Sequence, residues 1–196
     1  MIDLWMGKMH MENIWTIQSK KVLDIIKKEE NYYPNIRLLR GDYQDAYKIV
    51  LDSFNIINKC KYDGLIYGFA KYGEKQFFNS IDELYQYFLC NPSITDAFNL
   101  WSDQYIILQL QYENDFNLIP IDFNDFIQIM PPIWDKKAYQ IIVSRIKKGI
   151  YKGGHTLPSF TQVHTPYIKK ENIIGVFGNF NKKESDETGV LHTYMK

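Results

Sequence analysis

The sequence has few cysteines and histidines and no excess of either charge. Two cysteines cannot form a disulfide framework, and neither Cys60 nor Cys90 lies in a Cys-x-x-Cys pair, so we expect a reduced, cytoplasmic protein. The four histidines lack metal-ligand spacing, which predicts no metal site. Lysine plus arginine and aspartate plus glutamate number 23 each, so net charge does not attract the chain to nucleic acid or to a membrane.

Long apolar runs and common catalytic motifs are also missing. No run approaches the ~18 apolar residues of a membrane span, and the N-terminus has no signal-peptide pattern, so we expect neither membrane insertion nor export. The absence of GxxxxGK[ST], GxGxxG, GxSxG and HExxH excludes the commonest nucleotide, hydrolase and metalloprotease motifs. Aromatic residues are abundant instead, with 15 Tyr, 12 Phe and 4 Trp. Their flat faces suit a core or stack on planar ligands.

The chain reads as a single domain with two short appendages. Patterned sequence begins after Met11, so we expect residues 1–10 to be an extension without fixed structure. Residues 11–180 contain no internal repeat and no linker. The polar stretch 181–196 is expected to be a frayed tail.

The apolar periodicity predicts strands and helices without regular βαβ alternation. Residues 105–112 alternate as a strand of a sheet with one covered face requires. Ser80 with Glu83 forms a capping box, and Asp135 is placed to cap the last predicted helix. We therefore expect an α+β fold with two packed, mostly antiparallel sheets and the first two helices against one of them. The predicted strands lie at 14–18, 65–70, 105–112, 118–123, 159–165 and 173–178. The predicted helices lie at 20–31, 43–60, 81–89, 94–101 and 135–148.

Polar residues repeat with a period of two on two of these strands. In the first strand, Thr16 and Gln18 share a face opposite Trp15. In the strand 159–165, Gln162 and His164 share a face. Each pair can line a site or can simply face water, as half-exposed antiparallel strands often do.

The aromatic run 66–72 is a third candidate for binding. Tyr67 and Phe69 share a strand face, and Gly68 between them is expected to leave open space beside the rings. Tyr67 can then stack on a planar ligand, with Tyr72 ending the run. Core packing is the alternative, above all for Phe69.

The loop 147–154 combines lysines with three glycines and allows two interpretations. Its backbone N–H groups can cradle a phosphate. Alternatively, it is a helix C-terminus with favourable lysines, followed by a flexible turn.

Three segments together resemble an uncharacterised bacterial family of about this length. The first is the opening Trp15-Thr16-Ile17-Gln18, and the second is the aromatic run 66–72. The third is 104–126, a strand followed by Ile121-Asp122-Phe123-Asn124-Asp125-Phe126. The likeness runs in order across residues 14–180.

A more distant resemblance is to the ADP-ribosyltransferases. Their outline is a first strand followed at once by a helix, a middle strand with a tyrosine, and a late Gln-x-Glu strand, which residues 159–174 resemble. The resemblance implies a split-sheet fold and NAD as the substrate. It nominates as catalytic residues Gln162, His164 and Gln18. It nominates as NAD-binding residues Trp15, Thr16, Gln18, Tyr67 and Tyr72.

Two departures from that family pattern keep alternatives open. The first strand has no His or Arg, and His164 stands where the glutamate would be. Cleavage of the N-glycosidic bond leaves positive charge on the ribose, which needs a facing anion such as Asp122 or Glu171. The leading hypothesis is a transferase that modifies nucleic acid or protein as a toxin or antiphage effector. The alternatives are a catalytically silent domain that binds a nucleotide or protein, and a nucleic-acid-processing module that uses the aromatic run and the lysine loop.

Overall fold

The computed structural model has mixed helices and sheet, which confirms the α+β class. The described residues are 14–39, 41–71, 78–90, 104–112, 119–149 and 160–178. The expected extension 1–10, the helix 94–101 and the tail 181–196 lie outside them. Across the described ranges, no helix combines the length and the apolar character needed to cross a membrane.

The elements follow the predicted order closely. The helices are α1 (Lys20–Glu29), α2 (Gly41–Asn58), α3 (Ile81–Leu89), α4 (Phe123–Gln128) and α5 (Lys136–Lys147). The strands are β1 (Ile14–Ser19), β2 (Asn31–Tyr32), β3 (Ile66–Lys71), β4 (Tyr105–Leu110), β5 (Ile121–Asp122), β6 (Phe160–Thr165), β7 (Ile168–Lys169) and β8 (Ile173–Phe177). Single turns of 3-10 helix lie at Ile36–Leu38 and Lys170–Asn172. The sequence analysis missed α4, β2 and β7.

The main sheet has six strands in the order β5-β6-β3-β1-β4-β8, and every neighbouring pair is antiparallel. The expectation of two packed sheets is wrong for these strands, because β1 pairs with β3 on one side and with β4 on the other. The six strands thereby form one continuous sheet. The second sheet is only the short pair β2–β7.

Both faces of the main sheet are covered, which corrects the expectation of one covered face. Ile106, Leu108 and Leu110 of β4 pack with α1 in one cluster. Ile107, between them, is fully buried and packs with α3 in another. The alternating glutamines predicted a solvent-exposed face, but α3 packs on that face around Ile107.

The helices divide between these surfaces. α1 buries Val22 and Ile26 on the Leu108 face. α2 does not join it there, as had been expected. Instead, α2 packs with α4 and α5 in a third cluster around Ile119 and Ile121, beside the short strand β5.

Side-chain caps fix several helix starts. The Ser80 hydroxyl accepts a hydrogen bond from the Glu83 amide at 3.2 Å, and the Asp135 carboxylate accepts from the Lys137 amide at 2.8 Å, both as the sequence predicts. Asp122 accepts from the amide of Asn124 at 2.8 Å and so ends β5 and starts α4. Ser19 occupies a cap position but makes no side-chain cap bond.

Candidate functional site

The register of β1, β3 and β6 separates the nominated residues. Trp15 stands opposite Phe69, and Phe69 stands opposite Gln162. Paired residues point to the same face, and alternation then places His164 on that face as well. Gln162 and His164 therefore share the face of Trp15, while Thr16 and Gln18 belong to the other face. The expectation that the two pairs line one cleft is wrong, because Gln18 lines a cavity whose wall includes neither Gln162 nor His164.

Thr16 and Gln18 are linked by a short chain of hydrogen bonds. The Thr16 hydroxyl donates to the backbone carbonyl of Tyr67 at 2.7 Å, and Gln18 Nε2 donates to that hydroxyl at 2.8 Å. Thr16 is fully buried, whereas Gln18 is half-buried. The chain ties the end of β1 to the start of β3 and holds the Gln18 amide in place.

Gln18 and Tyr67 line one cavity of about 130 Å³. The cavity lies between the ends of β1 and β3, the helix α2 and the segment that crosses from β2 to α2. None of the described residues in its wall carries a charge. The wall is formed by Gln18, Tyr32, Pro34, Asn35, Ile36, Leu38, Leu39, Tyr47, Leu51, Leu65, Ile66 and Tyr67.

Two tyrosines stand side by side in this wall. The ring of Tyr47, from α2, lies 5.8 Å from that of Tyr67 at an interplanar angle of 34°. Burial is the main cause that raises the pKa of both phenols, and their proximity adds to the rise at Tyr47. Both hydroxyls are therefore protonated at neutral pH, and the wall stays uncharged.

Tyr47 also contacts the two nominated residues of β6. Gln162 Nε2 donates a hydrogen bond to the Tyr47 hydroxyl at 3.3 Å. The His164 ring lies edge-on to the Tyr47 ring, with centroids 6.2 Å apart. Neither Gln162 nor His164 belongs to the cavity wall. Tyr47 thus stands between the cavity and these two buried side chains.

His164 is a buried, neutral histidine. Its side chain is fully buried, and Nδ1 lies 3.3 Å from the backbone carbonyl oxygen of Ile119. Since a carbonyl only accepts, we assign the proton to Nδ1, which leaves Nε2 as an acceptor. Burial lowers the pKa of His164 to about 4, although the bond to Ile119 opposes this shift. The ring is therefore uncharged at pH 7.

Two buried acceptors on β6 lack partners among the described residues. They are Nε2 of His164 and Oε1 of Gln162. Both residues are completely buried, and unsatisfied buried acceptors are uncommon in folded proteins. The two residues lie on the same face of β6, and both contact Tyr47.

Of the described residues, the remaining candidates from the sequence do not lie in the cavity wall. Trp15, expected to bind NAD, is buried: its Nε1–H donates to the Phe78 carbonyl at 3.0 Å, and its ring packs against Phe177. At Gly68 a Cβ would overlap Cγ2 of Ile14, on the face of β3 opposite to the Tyr67 and Phe69 rings, so a glycine is needed there for the close approach to Ile14. Tyr72 lies outside the described residues.

The carboxylates proposed to stabilise a ribosyl cation do not line the cavity. Asp122 is buried as the cap of α4, where it accepts amide hydrogen bonds. Glu171 is exposed and pairs with Lys169 at 3.4 Å. Within the described ranges, no group of three or more His, Cys, Asp or Glu side chains is placed to hold a metal ion.

The lysine loop is described only in part. Lys147 ends α5, and Gly149 follows with a left-handed φ of 63° and donates its N–H to the Ile146 carbonyl at 2.9 Å. This part is a helix C-terminus, and residues 150–154 lie outside the described residues.

Sequence analysis missed Tyr47 and the wall residues of the segment 32–39. Tyr47 directly follows Ala46 of the apolar stripe of α2, and a tyrosine at the border of a buried stripe is the signal that could have found it. The segment 32–39 has no periodicity, so nothing in it predicted a wall.

Comparisons with protein-family models, curated proteins and solved structures found no match for this chain. Function must therefore be inferred from the residues of the site.

Proposed function

We propose that this chain binds one planar ring of a nucleotide in the cavity beside Tyr67, and that it binds without transferring ADP-ribose. The nicotinamide ring of NAD is the first candidate. The single observation that carries the proposal is the uncharged, tyrosine-walled cavity of about 130 Å³.

The volume of the cavity suits a ligand with a single aromatic ring. A cavity of about 150 Å³ takes up benzene, whereas sites for whole ligands usually measure about 300–1,000 Å³. A six-membered ring with one small substituent therefore suits the space, and fused purine rings are disfavoured. The uncharged wall also means that ribose and phosphates would lie outside the cavity.

The chemistry of the wall suits a carboxamide. Gln18 Nε2 uses one N–H on Thr16, and a side-chain amide has a second N–H and a carbonyl oxygen to exchange with a ligand amide. Tyr67 supplies a ring for stacking. Nicotinamide carries both the ring and the carboxamide.

Transfer of ADP-ribose has less support than binding. A ribosyl cation requires an anion facing it, and no described residue of the cavity wall is acidic. His164 is uncharged and does not belong to the cavity wall. We therefore favour the silent-domain hypothesis over the transferase.

Calorimetric titration with NAD, nicotinamide and AMP tests the binding. NAD and nicotinamide should bind and AMP should not. Tyr67→Leu should weaken binding by roughly tenfold to a hundredfold, the range for loss of one stacked ring. The matched control is Tyr33→Leu, since Tyr33 is 58% exposed and lies outside the cavity wall.

A second variant covers the case in which Tyr67→Leu unfolds the protein. Gln18→Leu keeps the side-chain size at a half-buried position and should also weaken nicotinamide binding. Equal affinity of the wild type, Gln18→Leu and Tyr33→Leu would overturn the proposal. Release of nicotinamide from NAD by the wild type would instead restore the transferase hypothesis.

A further inference from the structure

We infer that the outer face of α5, together with Trp134, is a binding surface for single-stranded nucleic acid. This surface is separate from the cavity beside Tyr67 and does not depend on the function proposed for it. Its components are Lys136, Lys137, Lys147 and Lys148 at the two ends of the helix, and the indole of Trp134 just before it.

All charged residues in the segment 136–148 are positive. Residues 136–148 contain four lysines and one arginine and no acidic residue, although the whole chain has a net charge of zero. Arg145 faces Asp125 at 3.7 Å. The four lysines are exposed, and no carboxylate of the described residues forms an ion pair with them.

Helix geometry sets the lysines at two ends of one surface. Lys148 follows Lys137 by eleven positions, which is close to three full turns, so the two lie on the same side of the helix about 16 Å apart. Lys136 and Lys147 repeat the same spacing on the adjoining line. The exposed Gln140 separates these ends without adding charge.

The surface is held rigidly on the fold. Ile142 and Ile146, on the inner side of α5, are each 3% exposed and pack in the cluster with α2 and α4. The cap at Asp135 fixes the start of the helix. The lysine positions are therefore preset by the core.

Trp134 supplies the feature that selects nucleic acid. It is 90% exposed, and no ring of the described residues packs against it. An exposed indole beside a row of lysines matches the way proteins bind single strands, in which cations follow the phosphates and aromatic rings stack on unpaired bases. The charge complementarity favours a polyphosphate, and the indole favours one that carries free bases.

Fluorescence anisotropy with labelled oligothymidylate and oligouridylate tests this inference on the full chain. Both should bind, with a slope of log K against log salt near −3, since each of four phosphate contacts contributes about −0.7 on single strands. Changing all four lysines to glutamine should abolish that slope. The matched control changes the exposed Lys27 and Lys28 of α1 to glutamine and should leave it unchanged.

Trp134→Ala separates stacking from charge. It should weaken oligothymidylate binding about tenfold to a hundredfold while leaving an abasic oligomer of the same length unaffected. Equal binding by the wild type and the four-lysine variant would overturn the inference. So would a loss as large in the Lys27/Lys28 control, or Trp134-dependent sedimentation with phosphatidylserine vesicles in the absence of oligonucleotide binding.

Discussion

Tyr67 and His164 stand directly opposite each other on β3 and β6. The ring of Tyr47 lies against both, 5.8 Å from Tyr67 and 6.2 Å from His164. Tyr67 faces the cavity, whereas His164 is enclosed behind Tyr47 with an unpartnered Nε2 among the described residues. A single helix side chain thus separates the candidate ligand space from a buried, neutral imidazole.

Folding stability should decrease as the pH is lowered, because His164 is buried in its neutral form. The histidine pKa is about 6.5 in the unfolded chain and about 4 in the folded protein, so between these values the unfolded state binds a proton that the folded state does not. The free energy of unfolding should therefore decrease as pH drops from about 6.5 to about 4, by at most ~3 kcal/mol from this group.

His164→Asn isolates this contribution. The Asn side-chain amide can replace the Nδ1–H bond to the Ile119 carbonyl but does not titrate. Urea unfolding of both proteins at several pH values should show a steeper loss for the wild type between pH 6.5 and 4. Parallel curves for the two proteins would show that His164 does not titrate across this range.

Trp15→Phe should destabilise the fold and spare ligand binding. The change removes the hydrogen bond from Nε1 to the Phe78 carbonyl and leaves a void in a fully packed site, with an expected cost of about 2–4 kcal/mol. Thermal denaturation and nicotinamide affinity are the two measurements. If the folded variant binds nicotinamide more weakly than the wild type, Trp15 contributes to ligand binding after all.

Strand faces could be predicted from the sequence, but strand register could not. The period of two correctly placed Thr16 opposite Trp15, and Gln162 with His164, because alternation is a local property of extended chain. Whether the two polar pairs meet depends on β3, which pairs with β1 and β6 from more than 50 residues along the chain. No local pattern encodes that pairing.

Short elements were missed for a related reason. α4 spans six residues, fewer than two turns, and its cap Asp122 reads as the end of a strand. The cavity wall also escaped prediction because the segment 32–39 is fixed by tertiary contacts. Longer elements such as α3 and α5 were predicted from their caps, since a cap residue acts within three positions of itself.

Thr16→Val should disturb the cavity wall more than the hydrophobic core. Valine keeps the shape but cannot donate to the Tyr67 carbonyl or accept from Gln18, so a cost of about 1–2 kcal/mol is expected from the lost hydrogen bonds. The released Gln18 amide should also lower nicotinamide affinity. Thr16→Ser, which keeps the hydroxyl, is the control and should retain the affinity.

Gly68→Ala should destabilise the sheet where β3 pairs with β1. An added Cβ would overlap Cγ2 of Ile14 and come 3.0 Å from the Trp15 carbonyl oxygen, so either the Ile14 side chain or the strand backbone must shift. Overpacking of this kind costs about 1–3 kcal/mol.

Gly41→Ala is the matched control. Nothing lies within 4 Å of its added Cβ, and alanine at this exposed first residue of α2 should raise the free energy of unfolding by up to ~1 kcal/mol. Urea unfolding midpoints should therefore move in opposite directions for the two variants. A Gly68→Ala midpoint at or above that of the wild type would mean that the close approach of β3 to Ile14 relaxes freely.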